Sequence, residues 1–212
     1  LGVYNFGFER PSAIQAKSII PIAEGHDILA QAQSGSGKTG AFGIGILTRI
    51  NPKAFYPQAI IMANTKELAM QIAYVVEKIG EDLGVKVCLC IGGAIRDSEM
   101  NLSDAEKSHI LVCTPGRLGD LIDRDMDNRR TSIKLLDRLK ILVLDEADML
   151  LGNDFRPQIQ KIINTIRYSD FIAEKSEKTR NTNLFLEKQR RQYVSSVPVG
   201  FKSRTNSEYF YK

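Results

Sequence analysis

The sequence predicts an α/β fold in which a mostly parallel sheet is covered by helices on both faces. Short apolar runs alternate with segments of helical periodicity along the first 167 of the 212 residues. The runs are continuous and partly β-branched, which is typical of strands that are buried on both faces. Such an alternation favours a parallel sheet, because each helix returns the chain to the side where the next strand begins.

The individual elements follow from the same patterns. The clearest helix spans Lys66–Asp82, where apolar residues recur at spacings of three and four. Five apolar runs are short enough to be strands. They are Ile28–Gln31, Ala59–Ala63, Val85–Ile91, Ile110–Cys113 and Ile141–Asp145.

Composition indicates an ordinary soluble globular protein. Apolar residues make up 43% of the chain and charged residues 25%. No apolar run approaches the ~20 residues of a membrane-spanning helix, and the start lacks the pattern of a signal peptide. Cys88, Cys90 and Cys113 lie in apolar segments without metal-ligand spacing. They predict small core residues and a reducing compartment, cytoplasmic or nuclear.

The net charge of +4 comes entirely from the residues after 167. Residues 168–212 hold nine Lys/Arg and five Asp/Glu, which leaves twenty of each in residues 1–167. Charge alone therefore gives no reason to regard the main body as a nucleic-acid binder. Because residues 168–212 also show weak periodicity, we predict a basic tail of low order beside a domain of residues 1–167.

A glycine-rich segment after the first predicted strand has the pattern of a phosphate-binding loop, with Ala32 in place of the first Gly. Its glycines let backbone N–H groups converge, and the following helix adds its positive end. A plain Gly/Ser turn is the alternative, but a strand precedes the segment and a helix follows it. Lys38 can reach the terminal phosphates, and Thr39 can place its hydroxyl on Mg²⁺. The predicted nucleotide-binding residues of the loop are Gln33, Ser34, Gly35, Ser36, Gly37, Lys38 and Thr39.

Three carboxylates follow the last predicted strand, at Asp145, Glu146 and Asp148. Buried carboxylates are costly without a partner, so they are either solvated at a strand end or meet a positive group. In a phosphate-loop fold, a second strand ends beside the loop. We therefore predict that Asp145 serves Mg²⁺ through water and that Glu146 orients or deprotonates the attacking water. With Lys38, they are the predicted catalytic residues.

The run Asp145-Glu146-Ala147-Asp148 is the signature of the DEAD-box RNA helicases, and residues 1–167 resemble the N-terminal RecA-like domain of that family, a P-loop fold. The resemblance implies ATP and Mg²⁺ as cofactors and a role for Asp148 in coupling ATP to RNA. The stretch "GFERPSAIQ" resembles the family's adenine-reading motif, which implies nucleotide contacts from Phe8, Arg10 and Gln15. The Gln15 amide is donor and acceptor at once, as N6 and N7 of adenine require.

The resemblance also implies an RNA site. Backbone N–H groups, the Thr114 hydroxyl and Arg117 suit phosphate contacts, so single-stranded RNA would be bound without regard to its sequence. Lys66 stands where the family has Arg and lacks its planar two-pronged donor set, which predicts a weaker RNA contact. The implied RNA-binding residues are Thr65, Lys66, Gly92, Gly93, Thr114, Pro115, Gly116 and Arg117.

Three further features depart from the family pattern. The aromatic residue that stacks on the base would fall before Leu1. The helix after the phosphate loop contains three glycines (residues 40, 43 and 45), each of which costs about 1 kcal/mol against Ala unless close packing, for instance on the sheet, requires it. The Ser-Ala-Thr motif is replaced, later than expected, by Ser195-Ser196-Val197. Either an insertion occupies roughly residues 168–190 or the tail is unrelated to the family, and the second explanation is slightly favoured.

The sequence therefore predicts an ATP-dependent RNA helicase reduced to its first domain, most similar to the translation-initiation helicases. Nothing in the chain resembles the second RecA-like domain with its arginine finger, so weak turnover alone is expected, and a separate second domain or protein partners are implied. A guanine-reading Asn-Lys-x-Asp and a transporter-type Ser-Gly-Gly-Gln are both missing from the sequence. The alternative is a non-catalytic, nucleotide-dependent RNA or protein interaction module.

Overall fold

The computed structural model describes residues 2–93, 102–128, 135–167 and 192–197. No helix within these ranges is long and apolar enough to cross a membrane. The helices are α1 (Gly2–Asn5), α2 (Ala13–Glu24), α3 (Lys38–Leu47), α4 (Lys66–Gly80), α5 (Leu102–Glu106), α6 (Pro115–Asn128), α7 (Ala147–Leu150) and α8 (residues 156–167), with a 3₁₀ turn at Glu81–Leu83. The strands are β1 (Ile28–Gln31), β2 (Ala59–Met62), β3 (Val87–Cys90), β4 (Ile110–Cys113), β5 (Ile141–Leu144) and β6 (Gln192–Val197).

All six strands form one parallel sheet in the order β1-β6-β5-β2-β4-β3. The predicted parallel α/β fold is therefore confirmed, and all five predicted strands are present within two residues of their expected ends. Because the strands are parallel, they begin at one rim of the sheet and end at the other. We call the residues that follow strands β1 to β6 the carboxyl rim, and the residues that precede them the amino rim.

Helices cover both faces of the sheet, as the continuous apolar strands predicted. Alternate residues of β2, β4 and β5 enter two separate cores. On β2, Ile60 and Met62 face the core built with α6 and α8, whereas Ala59 and Ile61 face the core built with α2, α3 and α4. All four side chains of β2, β4 and β5 are buried.

The expectation of burial on both faces is wrong for β1. This strand lies at the end of the sheet, and Leu29 is 59% exposed. An end strand has a neighbour on one side only, so its outward residues depend on whatever else packs nearby. The continuous apolar pattern of residues 28–31 could not show this position.

The low order predicted for most of residues 168–212 does not extend to residues 192–197. Their backbone forms β6, which pairs with β1 on one side and β5 on the other. The short run from Tyr193 to Val197 carries two serines and gives a weak strand pattern by itself. Its position between two parallel neighbours supplies the pairing that the local sequence does not show. The rest of residues 168–212 lies outside the described residues.

Two of the three glycines of α3 are explained by the neighbouring helix α2 and not by the sheet. A Cβ on Gly45 would lie 2.6 Å from Cγ2 of Ile22, and a Cβ on Gly40 would lie 2.8 Å from Nε2 of Gln15. Both contacts come from α2, so α3 can pack this closely on α2 only where side chains are missing. At Gly43 the nearest atom is 3.4 Å away, on Val76.

The three cysteines are free, and Cys90 and Cys113 are buried core residues as predicted. Cys88 is only half-buried, and its Sγ lies 3.8 Å from Sγ of Cys90. A hydrogen bond from Cys90 lowers the pKa of the Cys88 thiol, whereas burial raises the pKa of the Cys113 thiol. Cys88 is therefore the most reactive thiol expected among the three.

Candidate nucleotide and RNA site

The predicted phosphate loop lies at the carboxyl rim between β1 and α3. Gly35 and Gly37 have φ angles of 75° and 91°, in the left-handed region that favours glycine. Lys38 opens α3, so the free N–H groups of its first turn face the loop. The strand before and the helix after the loop are as the sequence predicted, and this geometry suits an anion.

The Lys38 ammonium lies across the loop in this structure. Its Nζ donates hydrogen bonds to the carbonyl oxygens of Ala32 at 2.8 Å and Gln33 at 3.0 Å. To reach the terminal phosphates it would exchange these carbonyls for phosphate oxygens, which are stronger partners for an ammonium group. Thr39, half-buried, follows in the first turn of α3, and Ser34 is exposed on the loop.

Gln15, which is predicted to read adenine, is buried and forms a hydrogen bond to the backbone of the phosphate loop. Its Oε1 accepts from the N–H of Ser12 at 2.9 Å, and its Nε2 donates to the carbonyl of Gly37 at 3.2 Å. Each of these two atoms can form one further hydrogen bond, so the amide still has a donor and an acceptor for adenine. The position of Gln15 thus makes it a support of the loop as well as a candidate base contact.

Ser12 is a functional residue that the sequence reasoning missed. Its hydroxyl donates to the carbonyl of Ser36 at 2.8 Å and caps α2 by accepting from the N–H of Gln15 at 3.5 Å. The spacing Ser-x-x-Gln is the pattern of a capping box, which the structure confirms, and it could have indicated this residue. The side chains of Ser12, the N-cap of α2, and Gln15 therefore hold the carbonyls of Ser36 and Gly37.

The other two residues of the adenine motif differ in their surroundings. Phe8 is half-buried, and its ring would lie 3.0 Å from a Cβ placed on Gly40. Its ring centroid is 5.0 Å from that of Phe6. Arg10 is exposed. The structure therefore brings Phe8 to the start of α3 and leaves Arg10 in solvent.

Asp145 and Glu146 follow β5 at the carboxyl rim. The N–H of Asp145 donates to the carbonyl of Met62 at 2.9 Å, which extends the β2–β5 pairing by one residue. Asp145 is 3% exposed, and its Oδ1 accepts from the N–H of Glu146 at 3.1 Å. Glu146 has φ 51° and is the one non-glycine residue with positive φ in the described ranges. Such a backbone costs about 1–3 kcal/mol and commonly marks a functional position.

Asp148, the predicted coupling residue, lies in α7, which packs against β6. Its Oδ1 is buried and has no hydrogen-bond partner among the described residues. In the register of the sheet, Leu144 of β5 is opposite Ser195 of β6, so the segment Ser195-Ser196-Val197 ends at the same rim as α7 begins. The fold thus brings the replaced Ser-Ala-Thr motif next to the DEAD motif.

Two of the predicted RNA motifs converge at the carboxyl rim. Thr65 caps α4, with its Oγ1 accepting from the N–H of Leu68 at 3.2 Å. The exposed Lys66 reaches across to the turn after β3, where a Cβ on Gly93 would lie 2.7 Å from its Nζ. Gly93 has φ 72°, a conformation that favours glycine. Gly92 is half-buried beside it.

The third RNA motif opens α6 and is mostly buried. Thr114 is half-buried and Gly116 exposed, whereas Pro115 is buried in the first turn. Arg117 is only 7% exposed, and its Nε and Nη2 have no hydrogen-bond partner among the described residues. Its charge acts on the Cys90 thiol, where it opposes the increase in pKa. The guanidinium therefore does not lie on the surface, contrary to the simplest expectation for a phosphate-binding Arg.

The residues present fit a nucleotide with Mg²⁺. No group of three or more His, Cys, Asp or Glu side chains in the described ranges could hold a metal ion by itself. Magnesium in nucleotide sites needs only one or two carboxylates, since phosphates and waters complete its shell. Asp145 supplies a carboxylate at the rim, and the buried Oγ of Ser36 has no hydrogen-bond partner among the described residues.

The sheet, the loop after its first strand and the acidic turn after β5 define a phosphate-loop nucleotide-binding domain of the RecA-like type. A model of the DEAD/DEAH box helicases matches residues 12–186, most of the chain. The chain belongs to this family, as its motifs predicted. The matched range continues beyond residue 167, the predicted end of the domain.

Curated relatives and solved structures agree with this membership. Eukaryotic initiation factor 4A of Caenorhabditis elegans is 44% identical over 167 residues, covering 78% of this chain and 39% of that protein. A DEAD box protein from Methanococcus jannaschii superposes with a TM-score of 0.70 at 31% identity, covering 92% of this chain and 46% of that chain. S. cerevisiae Dbp5 bound to RNA and ADP BeF3 superposes with a TM-score of 0.68 at 30% identity, covering 92% of this chain and 42% of that chain. The chain thus spans about two fifths of the curated relative and is similar to the translation-initiation branch.

Proposed function

We propose that this chain is the ATP-binding first domain of an ATP-dependent RNA helicase, and that it binds ATP with Mg²⁺ and single-stranded RNA at its carboxyl rim. The observation that carries the proposal is the register of β2, β4 and β5. Met62 is aligned with Cys113 on one side and Leu144 on the other. The residues that follow these three positions begin the RNA motifs and the acidic motif, so both sets share one rim.

The nucleotide half of the proposal follows from the loop. Members of the family use ATP. Lys38 would bind the terminal phosphates after leaving the carbonyls of Ala32 and Gln33. Thr39 and Asp145 would hold Mg²⁺, which supplies positive charge against the phosphates when bound. Glu146, adjacent to Asp145, would orient the attacking water and accept its proton.

The RNA half is supported by the exposed groups at the same rim. Lys66 and Gly93 lie together, and Thr65, whose hydroxyl caps α4, directly precedes Lys66. Arg117 supports the proposal differently, because unpaired guanidinium N–H groups are costly when buried. A phosphate oxygen reaching this position would satisfy them. The similar Dbp5 structure was solved with RNA and ADP BeF3.

We also propose which partners and which compartment this activity requires. A RecA-like second domain would provide the arginine finger that accelerates hydrolysis, and other proteins are further possible partners. Such a protein would act in the cytoplasm, or in the nucleus. Coupling would run from Asp148 to β6, against which α7 packs.

Binding measurements test the proposal without relying on fast turnover. The unmodified chain should bind ATP with Mg²⁺ at least tenfold more tightly than GTP, and Glu146→Gln should retain this affinity. A labelled oligo-U strand should bind more tightly when ATP is present. Equal ATP and GTP affinity would remove the nucleotide assignment, and no RNA binding with ATP present would remove the RNA assignment.

Hydrolysis distinguishes the enzyme from an interaction module. Single-turnover hydrolysis with oligo-U should be measurable in the unmodified chain and lost in Glu146→Gln. Identical, background hydrolysis in both proteins, together with ATP-dependent RNA binding, would favour the non-catalytic module.

A further inference from the structure

A cluster of cations and aromatic rings lies on the amino rim, opposite the nucleotide site. Residues 51–58, 84–86, 107–109 and 135–140 lead into β2, β3, β4 and β5, and together they hold five Lys or Arg and one Asp, whereas residues 1–167 as a whole are balanced. The local excess is therefore a feature of this rim and not of overall composition. The five cations are Lys53, Lys86, Lys107, Arg138 and Lys140, and the carboxylate is Asp137. We call Lys53, Phe55, Tyr56, Lys86, Arg138 and Lys140 the amino-rim cluster.

The register of the sheet fixes the order of the residues along this rim. The N–H of His109 donates to the carbonyl of Lys86, that of Gln58 to the carbonyl of His109, and that of Lys140 to the carbonyl of Gln58. These bonds place the four residues in a row across neighbouring strands. At about 4.8 Å per strand, Lys86 and Lys140 are about 14 Å apart along the rim. Two cations thus flank two uncharged residues.

The first of the uncharged residues, Gln58, fixes the loop of residues 51–58 in front of the rim. It is fully buried, and its Nε2 donates to the carbonyls of Asn51 at 2.9 Å and Ala54 at 3.1 Å. Its Oε1 accepts from the N–H of Asn51 at 2.9 Å. A buried amide that is satisfied in this way rigidifies the backbone around it. The loop therefore has one defined shape.

The second, His109, fixes the other side of the loop. It is fully buried, and its Nδ1 accepts from the N–H of Lys86 at 2.8 Å. Its Nε2 is therefore the protonated nitrogen, and it donates to the carbonyl of Pro52 at 3.1 Å. Burial lowers the pKa of His109, so the ring is neutral and adds no charge between the two lysines.

The rigid loop presents aromatic surface to solvent beside the cations. Phe55 is 56% exposed, with its ring centroid 5.1 Å from that of His109 and 5.2 Å from Nζ of Lys86. Cζ of Arg138 lies 4.8 Å from the centroid of Tyr56. The buried side chains of Gln58 and His109 hold the backbone of the loop that carries the exposed Phe55 ring.

We propose that the amino-rim cluster is a second binding surface for single-stranded RNA, with phosphates on Lys53 and Lys86 and a base stacked on Phe55. Cations that follow a backbone, together with an aromatic ring that accepts any base, are the elements of sequence-independent single-strand binding. An acidic peptide would match the lysines but would leave the exposed ring without a role. The proposal rests on the proposed RNA-binding function but uses the rim opposite the nucleotide.

Paired substitutions in the intact chain test the charges. In Lys53→Ala/Lys86→Ala, the slope of log K against log salt for oligo-U should become shallower by about 1.4, at about 0.7 per phosphate contact. The matched control is Lys17→Ala/Lys78→Ala, which removes two exposed lysines of α2 and α4 and should leave the slope unchanged. ATP affinity should be unaffected in both, since neither pair lies in the loop at the carboxyl rim.

The ring is tested by Phe55→Leu, which keeps an apolar side chain but removes the stacking surface. Binding of oligo-U should weaken about fivefold or more, at about 1 kcal/mol or more per stacked base. Tyr74→Leu, which removes a similarly exposed ring (57%) from α4, should have no effect. Light-induced crosslinking of 4-thiouridine oligomers should mark the peptide of residues 51–58 in the unmodified chain.

The outcomes separate this surface from the proposed function. Unchanged affinity and slope in the amino-rim variants, with binding lost in Arg117→Ala, would overturn the second surface and leave the first. Weaker oligo-U binding in Lys53→Ala/Lys86→Ala but not in Phe55→Leu, with equal competition by polyglutamate, would show a general polyanion surface without base stacking and would overturn the assignment to single-stranded RNA. If the unmodified chain bound no RNA under any condition, both proposals would fail.

Discussion

The side-chain amide of Gln15 donates a hydrogen bond to the carbonyl oxygen of Gly37 at 3.2 Å. This bond joins the motif predicted to read adenine to the glycine of the phosphate loop that precedes α3. Gly37 can have no Cβ here, since one would lie 2.7 Å from Nε2 of Gln15. Base recognition and loop shape are therefore linked through one buried side chain.

We predict that Gln15→Ala weakens ATP binding and also destabilises the protein without nucleotide. The loss of the capping box and of the bond to Gly37 should lower the free energy of unfolding by about 1–2 kcal/mol. Urea unfolding without nucleotide measures this, and ATP and GTP titrations measure the preference. A residue that served only as a base reader would leave the urea midpoint unchanged, so an unchanged midpoint contradicts the supporting role.

Alanine at two glycines of α3 should have opposite effects. Gly45→Ala would force a Cβ to 2.6 Å from Cγ2 of Ile22, which is buried and cannot yield, so we expect destabilisation of about 1–3 kcal/mol. Gly43→Ala meets Val76 at 3.4 Å and should stabilise the helix by about 0.5–1 kcal/mol. Thermal unfolding of both variants checks the pair. Equal effects of the two substitutions would show that helix propensity, and not the close approach of α2, determines the change in stability.

The strained backbone of Glu146 predicts a conflict between stability and activity. Glu146→Gly should raise the free energy of unfolding by about 1 kcal/mol relative to Glu146→Gln, because glycine accepts φ 51° without strain. Both variants lose the carboxylate and should lose ATP hydrolysis while keeping nucleotide binding. Asp145→Asn is the comparison, since it should lose the Mg²⁺-dependent increase in ATP affinity. If Asp145→Asn and Glu146→Gln behave alike in binding and hydrolysis, the division of roles is wrong.

Stability should fall as the pH decreases below about 6.5, and His109 should be the cause. Burial lowers the pKa of His109 below its ordinary value of 6.5, Lys86 lowers it further, and the bond to Pro52 acts in the opposite direction. Between the lowered folded pKa and 6.5, the unfolded chain binds a proton that the folded chain does not. The contribution of neutral His109 to the free energy of unfolding is therefore complete above pH 6.5, and it is lost as the pH falls towards the pKa of the folded state.

Urea midpoints at pH 7.5 and 6.0 measure this dependence. His109→Gln should be less stable at both values but should lose the difference between them. His26→Gln is the matched control, because His26 is exposed beside Glu24 and is the one other histidine of the chain. A pH dependence that disappears in His26→Gln and persists in His109→Gln would refute the assignment.

Local sequence was enough to predict those parts of the fold that depend on residues close together in the chain. The five strands named from apolar runs are present, and the loop after β1 has the glycine conformations that its spacing indicated. Positive φ at Gly35 and Gly37 is a backbone property of the residue type, so it can be read from the sequence. The membership in the DEAD/DEAH box helicases followed from such short motifs.

Other features were decided only by residues far apart in the chain. β6 is a central strand because it pairs with β1 on one side and with β5 on the other. The sequence of Gln192–Val197 alone does not indicate this position. Arg117 is buried although its motif suggested a surface contact, because the first turn of α6 packs inward. The need for glycine at positions 40 and 45 of α3 depends on how closely α2 and α3 approach each other.

The amino-rim cluster also combines residues that the sequence shows with a proximity that only the fold creates. The sequence contains its lysines and rings in separate segments, each unremarkable and each balanced by acids elsewhere along residues 1–167. Parallel pairing places the starts of β2 to β5 side by side and so gathers the cations at one rim. Periodicity and motifs report the conformation of a segment, because they arise from neighbouring residues. Proximity between segments arises from strand pairing and packing, whose free energy is shared among residues that the chain order separates.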